Sequence, residues 1–81
     1  MNKYSVICGE QIKRLRDYKR MSLRDLSEKS GISYTAIRNY ENGVRAMGID
    51  QIIALCKAMS KDPREFLDEC FEITRKEENE I

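Results

Sequence analysis

SLRDLSEKSGISYTAIRNYENG, residues 22–43, decides the fold of this chain. Ser22 is a good helix N-cap, and Asp25, three residues on, supplies the acid of a capping box. Met21 and Leu26 flank that start as a hydrophobic staple. The same signals return eleven residues later: Ser33 caps, and Ile32 and Ile37 form the staple. Gly31 supplies the positive φ that ends the first helix, and Asn42-Gly43 ends the second in the same way.

Two capped helices with almost no linker must cross steeply, which is a helix-turn-helix arrangement. Winding the second helix at about 100° per residue sends Ile37 and Tyr40 one way, with Glu41 beside them. Thr35, Arg38, Asn39 and Asn42 point the other way. That outer face has hydrogen-bonding groups and one guanidinium, with no acid and no aliphatic side chain. Such chemistry reads base edges and grips phosphates. A polar outer face is equally ordinary for a solvated helix, and the face alone does not choose between the two.

The first helix is expected from about Ser5 to Lys19, with Cys8, Ile12 and Leu15 at core spacing and Gly9 placed for close packing. Lys13, Arg14, Lys19 and Arg20 are read as a solvated polar side, from which one or two could reach phosphate. Val44 to Gly48 is a loop. Met47 and Ile52 make a third staple, and Gln51 sits at N3 of a fourth helix over about Ile49–Met59, the centre of the core. Asp62-Pro63-Arg64-Glu65 opens a fifth helix: Asp62 caps, Pro63 takes N1 and Glu65 closes a box. Apolar residues continue at Cys70, Phe71 and Ile73. They predict either a helix folding back on its own core or a dimer contact, and dimerisation is the preferred reading. Lys76 to Ile81 is charged and expected to fray.

These residues resemble the phage-repressor and Cro-type helix-turn-helix family, the Xre-like or lambda-repressor-like domain. The resemblance runs from about Cys8 to Leu67. It rests on the opening helix with its Leu15-Arg16 end, on Leu26-Ser27, Gly31-Ile32-Ser33, Ile37 and Tyr40-Glu41-Asn42-Gly43 in register, and on Ile52, Leu55, Ala58 and Met59. It implies an all-α, five-helix DNA-binding domain with the helix-turn-helix at helices 2 and 3. By the same resemblance, Ser33, Tyr34, Thr35 and Asn39 contact bases, with Arg38 on their rim touching base or phosphate. Asn42 and Arg45 hold phosphate. Arg16 and Glu41 form a structural ion pair. Two departures stand out. Leu23 replaces the family's usual Gln, which leaves Ser22 or Arg24 to take over its phosphate contact. Ser30 replaces an apolar residue, and its hydroxyl can bond a backbone carbonyl.

Composition narrows the classes. Eighty-one residues make one small domain that oligomerisation would help. The expected division is 1–69 for the helix-turn-helix domain and 70–81 for the extension of helix 5, a candidate dimer contact through Cys70, Phe71 and Ile73. No run is apolar enough to span a bilayer and no signal-peptide pattern occurs, so a cytoplasmic protein without membrane contact is expected. Three cysteines without a CxxC, and no histidine, argue against zinc, Cys–His catalysis and a disulfide framework. Cys8 and Cys56 read as buried small hydrophobes, and Cys70 as less settled. No metal or cofactor is expected, and no enzyme, since no nucleophile lies beside a base.

The net charge of +1 hides an asymmetry. Residues 1–48 carry ten basic against five acidic side chains, net +5, and residues 49–81 carry five against nine, net −4. A basic half facing a polyanion fits that division. The expected function is a sequence-specific, double-stranded DNA-binding transcriptional regulator. It would act as a homodimer on a palindromic operator, with about Tyr34–Asn42 in the major groove. The alternative is an antitoxin, or an adaptor with a protein partner such as a toxin, docking through the C-terminal segment.

Overall fold

The computed structural model describes residues 2–79, and all its regular elements are helices: α1 (Lys3–Tyr18), α2 (Leu23–Ser30), α3 (Tyr34–Glu41), α4 (Ile49–Ala58) and α5 (Pro63–Asn79). Each start has a local cause. Asn2 caps α1 by accepting the Ser5 N–H at 3.0 Å, so the helix begins two residues before Ser5. Ser22 and Asp25 close a full capping box, each side chain accepting the other's backbone N–H at 3.0 Å. Ser33 caps α3 through the Ala36 N–H. Gln51 accepts the Gly48 N–H at the start of α4. Asp62 accepts the Arg64 N–H. Glu65, expected to close that last box, accepts from Lys61 Nζ instead.

The ends are less regular than the sequence suggests. Gly31 (φ +77°) and Gly43 (φ +73°) end α2 and α3 in the left-handed region, as glycines do. Arg20 (φ +56°) and Ser60 (φ +55°) do the same work after α1 and α4 with a Cβ in the way. Ser60→Gly is therefore expected to raise stability by about 0.5–1 kcal/mol. A urea titration that shows no gain would mean the left-handed turn at Ser60 carries little strain.

The core is built from one stripe of each helix: Ile7 and Ile12, Leu26, Ile37 and Tyr40, Ile52, Leu55, Cys56 and Met59, then Phe66 and Cys70. α4 gives three of these and its C-cap Met59 a fourth, so its central place is as expected. Ile49 is an exception, 57% exposed at the first turn of α4. α1 packs against both α3 and α5, and α2 against α3 and α4. The α1 and α5 helices run antiparallel: Tyr4 Oη donates to Glu78 at 2.9 Å at one end, and Arg14, Leu15 and Tyr18 meet Lys61 and Phe66 at the other. Lys61 straps α5 by donating to Glu65 at 3.0 Å and Glu69 at 2.7 Å.

The C-terminal segment corrects two expectations. Residues 76–79 are helical rather than frayed, with Glu78 accepting from Tyr4 and paired with Lys3 at 3.3 Å; Glu80 and Ile81 lie outside the described residues. Cys70, expected as a dimer contact, is 2% exposed and belongs to the core. Thr74 is buried one turn later, its hydroxyl satisfied by the Cys70 carbonyl at 2.9 Å. The helix period turns Cys70, Ile73 and Thr74 inward together. Of the three candidate contacts, Phe71 stands clear, 62% exposed, while Ile73 is half-buried against the core.

Candidate nucleic-acid interface

α3 is seated by two contacts with α1. The first is covalently simple: Gly9 presses against the Tyr40 carbonyl, which an added Cβ would strike. The second is ionic. Arg16 Nε donates to Glu41 Oε2 at 2.7 Å and Arg16 Nη2 to Glu41 Oε1 at 3.0 Å, a bidentate pair. Arg16 Nη1 donates to the Met21 carbonyl at 2.8 Å, so the same guanidinium also holds the entry to α2. Glu41 is only 7% exposed. Its carboxylate, hydrogen-bonded to the guanidinium, raises the Arg16 pKa above the ordinary value against the opposing effect of burial.

The turn between α2 and α3 is locked from inside. Ser27 Oγ donates to the Ile32 carbonyl at 2.6 Å, and Ser30 Oγ accepts the Ile32 N–H at 3.1 Å. The Ser30 hydroxyl thus meets an N–H rather than the carbonyl expected of it. Ile32 has both backbone groups satisfied by serines of α2, which fixes how α3 leaves the turn. In the sequence Ser27 figures only as part of the Leu26-Ser27 match to the family. A serine four residues before a glycine C-cap is too common to signal such a lock.

This seating buries Ile37 and Tyr40 and turns the opposite face of α3 to solvent. Tyr34 is 48% exposed; Ser33, Thr35, Arg38 and Asn42 are exposed as well. Asn39 is half-buried, and its carbonyl accepts the Val44 N–H at 2.9 Å and the Arg45 N–H at 3.3 Å. That pair of bonds pins the loop to the end of α3. It brings Arg45 beside the face, its guanidinium 5.8 Å from the Tyr40 ring centre in a cation–π contact. Nothing local in the sequence links Arg45 to Tyr40.

Ser22 and Arg24, at the start of α2, are exposed too. The Ser22 and Ser33 hydroxyl oxygens already accept cap bonds, which leaves each an O–H to donate. Leu23 packs partly against the core, so it has exchanged a polar role for an apolar one. Arg14 falls elsewhere: it lines the depression between α1 and α5 with Lys61 and Glu69. The acids Glu65, Asp68, Glu69 and Glu72 border the adjoining groove on α5, and α1 stands between that helix and α3. Among the described residues no group of three or more His, Cys, Asp or Glu could hold a metal, and no helix is long and apolar enough to cross a membrane.

Residues 12–66 match the family described as helix-turn-helix. The chain belongs to that family, in its Xre or lambda-repressor-like form. Helix-turn-helix proteins of this kind are DNA-binding transcriptional regulators, not enzymes. A curated relative, an HTH-type transcriptional regulator of Sinorhizobium fredii otherwise uncharacterised, is 29% identical over 70 residues. The match takes in 86% of this chain and 49% of that protein, so this helix-turn-helix chain spans about half the length of the relative. Among solved structures, the restriction-modification controller protein C.AhdI of Aeromonas hydrophila is 30% identical, with a TM-score of 0.72 over 75% of this chain and 92% of the controller. The wild-type controller C.Esp1396I shares the fold at 22% identity, with a TM-score of 0.82 over 89% and 95% of the two chains.

Proposed function

We propose that this helix-turn-helix protein is a sequence-specific regulator that binds double-stranded DNA as a homodimer, with Tyr34–Asn42 in the major groove of each half of a palindromic operator. The observation that carries this reading is the outer face of α3, which the fold turns to solvent with Tyr34, Thr35, Arg38 and Asn42 exposed and Asn39 half-buried. Arg38 has the chemistry to meet guanine O6 and N7, and Asn39 to meet adenine N6 and N7. Ser33, Tyr34 and Thr35 at the helix start suit base edges or a thymine methyl. Asn42, Arg45, Ser22 and Arg24 suit phosphate. A two-fold dimer would set two such helices about 34 Å apart.

In this reading residues 1–69 form the DNA-binding unit and 70–79 continue α5 beyond it. Phe71 supplies the exposed apolar side chain for a subunit contact, with Ile73 at its edge. The likeness to controller proteins supports a regulatory role for this domain.

A mobility shift on the chain's own upstream region, at two salt concentrations, tests the proposal. Specific binding that falls steeply with salt is expected, since each neutralised phosphate contributes to the slope. Absence of a shift, with tight binding to the product of a neighbouring gene, would overturn it in favour of a protein-docking role. Within the complex, Asn39→Ala is expected to cost roughly 1–3 kcal/mol of specific binding, most of it at one base position. Asn42→Ala should weaken all sequences alike. Equal, sequence-independent losses from the two changes would refute this division of roles.

A further inference from the structure

Two hydroxyls in the turn between α2 and α3 belong to none of the DNA contacts assigned above, yet they hold the residue from which the reading helix hangs. Gly31, Ile32 and Ser33 join the two helices. Ser33 is committed to α3: its hydroxyl accepts the Ala36 N–H at 3.1 Å and its carbonyl the Ile37 N–H at 3.1 Å. Gly31 is committed to α2, donating its N–H to the Ser27 carbonyl at 3.0 Å. Ile32 lies between these commitments, and its φ and ψ set the angle at which α3 leaves α2. Its N–H belongs to the peptide plane before it, and its carbonyl to the plane after it. Ser30 Oγ accepts the first at 3.1 Å, and Ser27 Oγ donates to the second at 2.6 Å. Both planes are tied to α2, so the joint between the helices is closed.

We propose that Ser27 and Ser30 are positioning residues for DNA reading: their hydroxyls fix the angle of α3 and so set how strongly the protein prefers its operator to other DNA. This role presupposes the DNA binding proposed above. Non-specific binding needs phosphate contacts alone. Specific binding needs phosphate and base contacts made together. Ser22 and Arg24 at the start of α2 suit phosphate, and α3 carries the base-reading groups, so the angle between the helices decides whether both sets engage at once. The far end of α3 is held to α1 by the Arg16–Glu41 pair and by Gly9 against the Tyr40 carbonyl. A loosened turn therefore moves the near end most, displacing Ser33, Tyr34 and Thr35 ahead of Arg38 and Asn39. Ser27 and Ser30 are themselves only half-buried, and neither belongs to the hydrophobic core.

Mobility shifts with the full-length protein, on its upstream region and on an unrelated duplex of the same length, measure the preference. Ser27→Ala removes one oxygen. Ser30→Val and Ser30→Thr have closely similar shapes and differ in the hydroxyl. In Ser27→Ala and Ser30→Val the preference for the upstream region should fall about tenfold, roughly the effect of one mismatched base pair. Affinity for the unrelated duplex, and its salt slope, should stay at the parent's values. Ser30→Thr should restore the preference. The lost discrimination should lie at the base positions that Thr35→Ala also relaxes. Amide exchange in the free protein reads the same turn without DNA: Ala36 and Ile37 should exchange about fivefold faster in the two loosened variants, the worth of one hydrogen bond, while Leu55 and Cys70 keep the parent's protection.

An unchanged preference in both variants, from a parent that does prefer its upstream region, would overturn the proposal and leave the regulator reading standing. A parent without any preference would overturn that reading, and the specificity role with it. Equal losses on both duplexes, or faster exchange at Leu55 and Cys70 to match Ala36, would overturn the proposal in favour of a general stabilising role.

Discussion

Glu41→Ala is expected to lower stability by roughly 3–5 kcal/mol, although it removes one side chain near the end of a two-turn helix. The carboxylate takes two hydrogen bonds from Arg16 in a site almost closed to water. Without it, a guanidinium that cannot lose its proton is left in that site with the Met21 carbonyl and the more distant Asp17 carboxylate, 3.7 Å away, to satisfy it. Small domains have a total stability of about 5–15 kcal/mol, so this one change takes a large share. Arg16→Ala should cost a similar amount for the mirrored reason. The two losses should not add. Arg16→Met with Glu41→Leu removes both charges and fills much of the volume, and is expected to be markedly more stable than either single variant. Urea titrations followed by circular dichroism measure all four species. If the single losses sum to the double, or if Glu41→Ala costs less than about 1 kcal/mol, the pair is not the clamp described here.

Gly9→Ala is expected to destabilise by about 3 kcal/mol, the upper part of the range for overpacking. The sign is the informative part. In an ordinary helix interior, alanine for glycine gains about 1 kcal/mol through propensity. Here the new methyl group would strike the Tyr40 carbonyl, a backbone atom that cannot rotate away. α1 and α3 would have to separate, and with them the Arg16–Glu41 geometry. Because α3 carries the proposed DNA-reading face, the variant should also bind DNA more weakly at temperatures where it is still folded. A melting temperature at or above that of the parent would show that the close approach is not required.

Both changes act at the junction of α1 and α3, and that junction separates what was legible from what was not. The capping residues Ser22, Asp25 and Ser33 and the glycines 31 and 43 act within a few residues of themselves, so the helices around the turn could be read directly. Arg20 and Ser60 end their helices with no such mark, because their positive φ is imposed by where the chain must go next. The outward face of α3 was legible from its period, since Ile37 and Tyr40 can only point inward. Asn39 was placed on that face too, but its carbonyl also anchors the loop that carries Arg45, and that depends on the turn formed after Gly43.

The C-terminal helix shows the same division. Its run of apolar residues at Cys70, Phe71 and Ile73 was read as one dimer contact, yet Cys70 is buried, Ile73 packs partly against the core and only Phe71 of the three stands exposed. Periodicity cannot say which surface the inward stripe meets. That α5 packs against α1 of the same chain follows from the antiparallel arrangement of two helices far apart in sequence.

The amino-acid sequence by itself determined the five helices, their caps, the steep turn between α2 and α3 and the polar character of the outer face, because each is a local or periodic property. Only the tertiary structure decided that Gly9 meets a carbonyl, that Ile32 is held by two serines and that Arg45 lies over Tyr40. Those depend on the distance between segments far apart in the chain, which packing sets and local pattern does not.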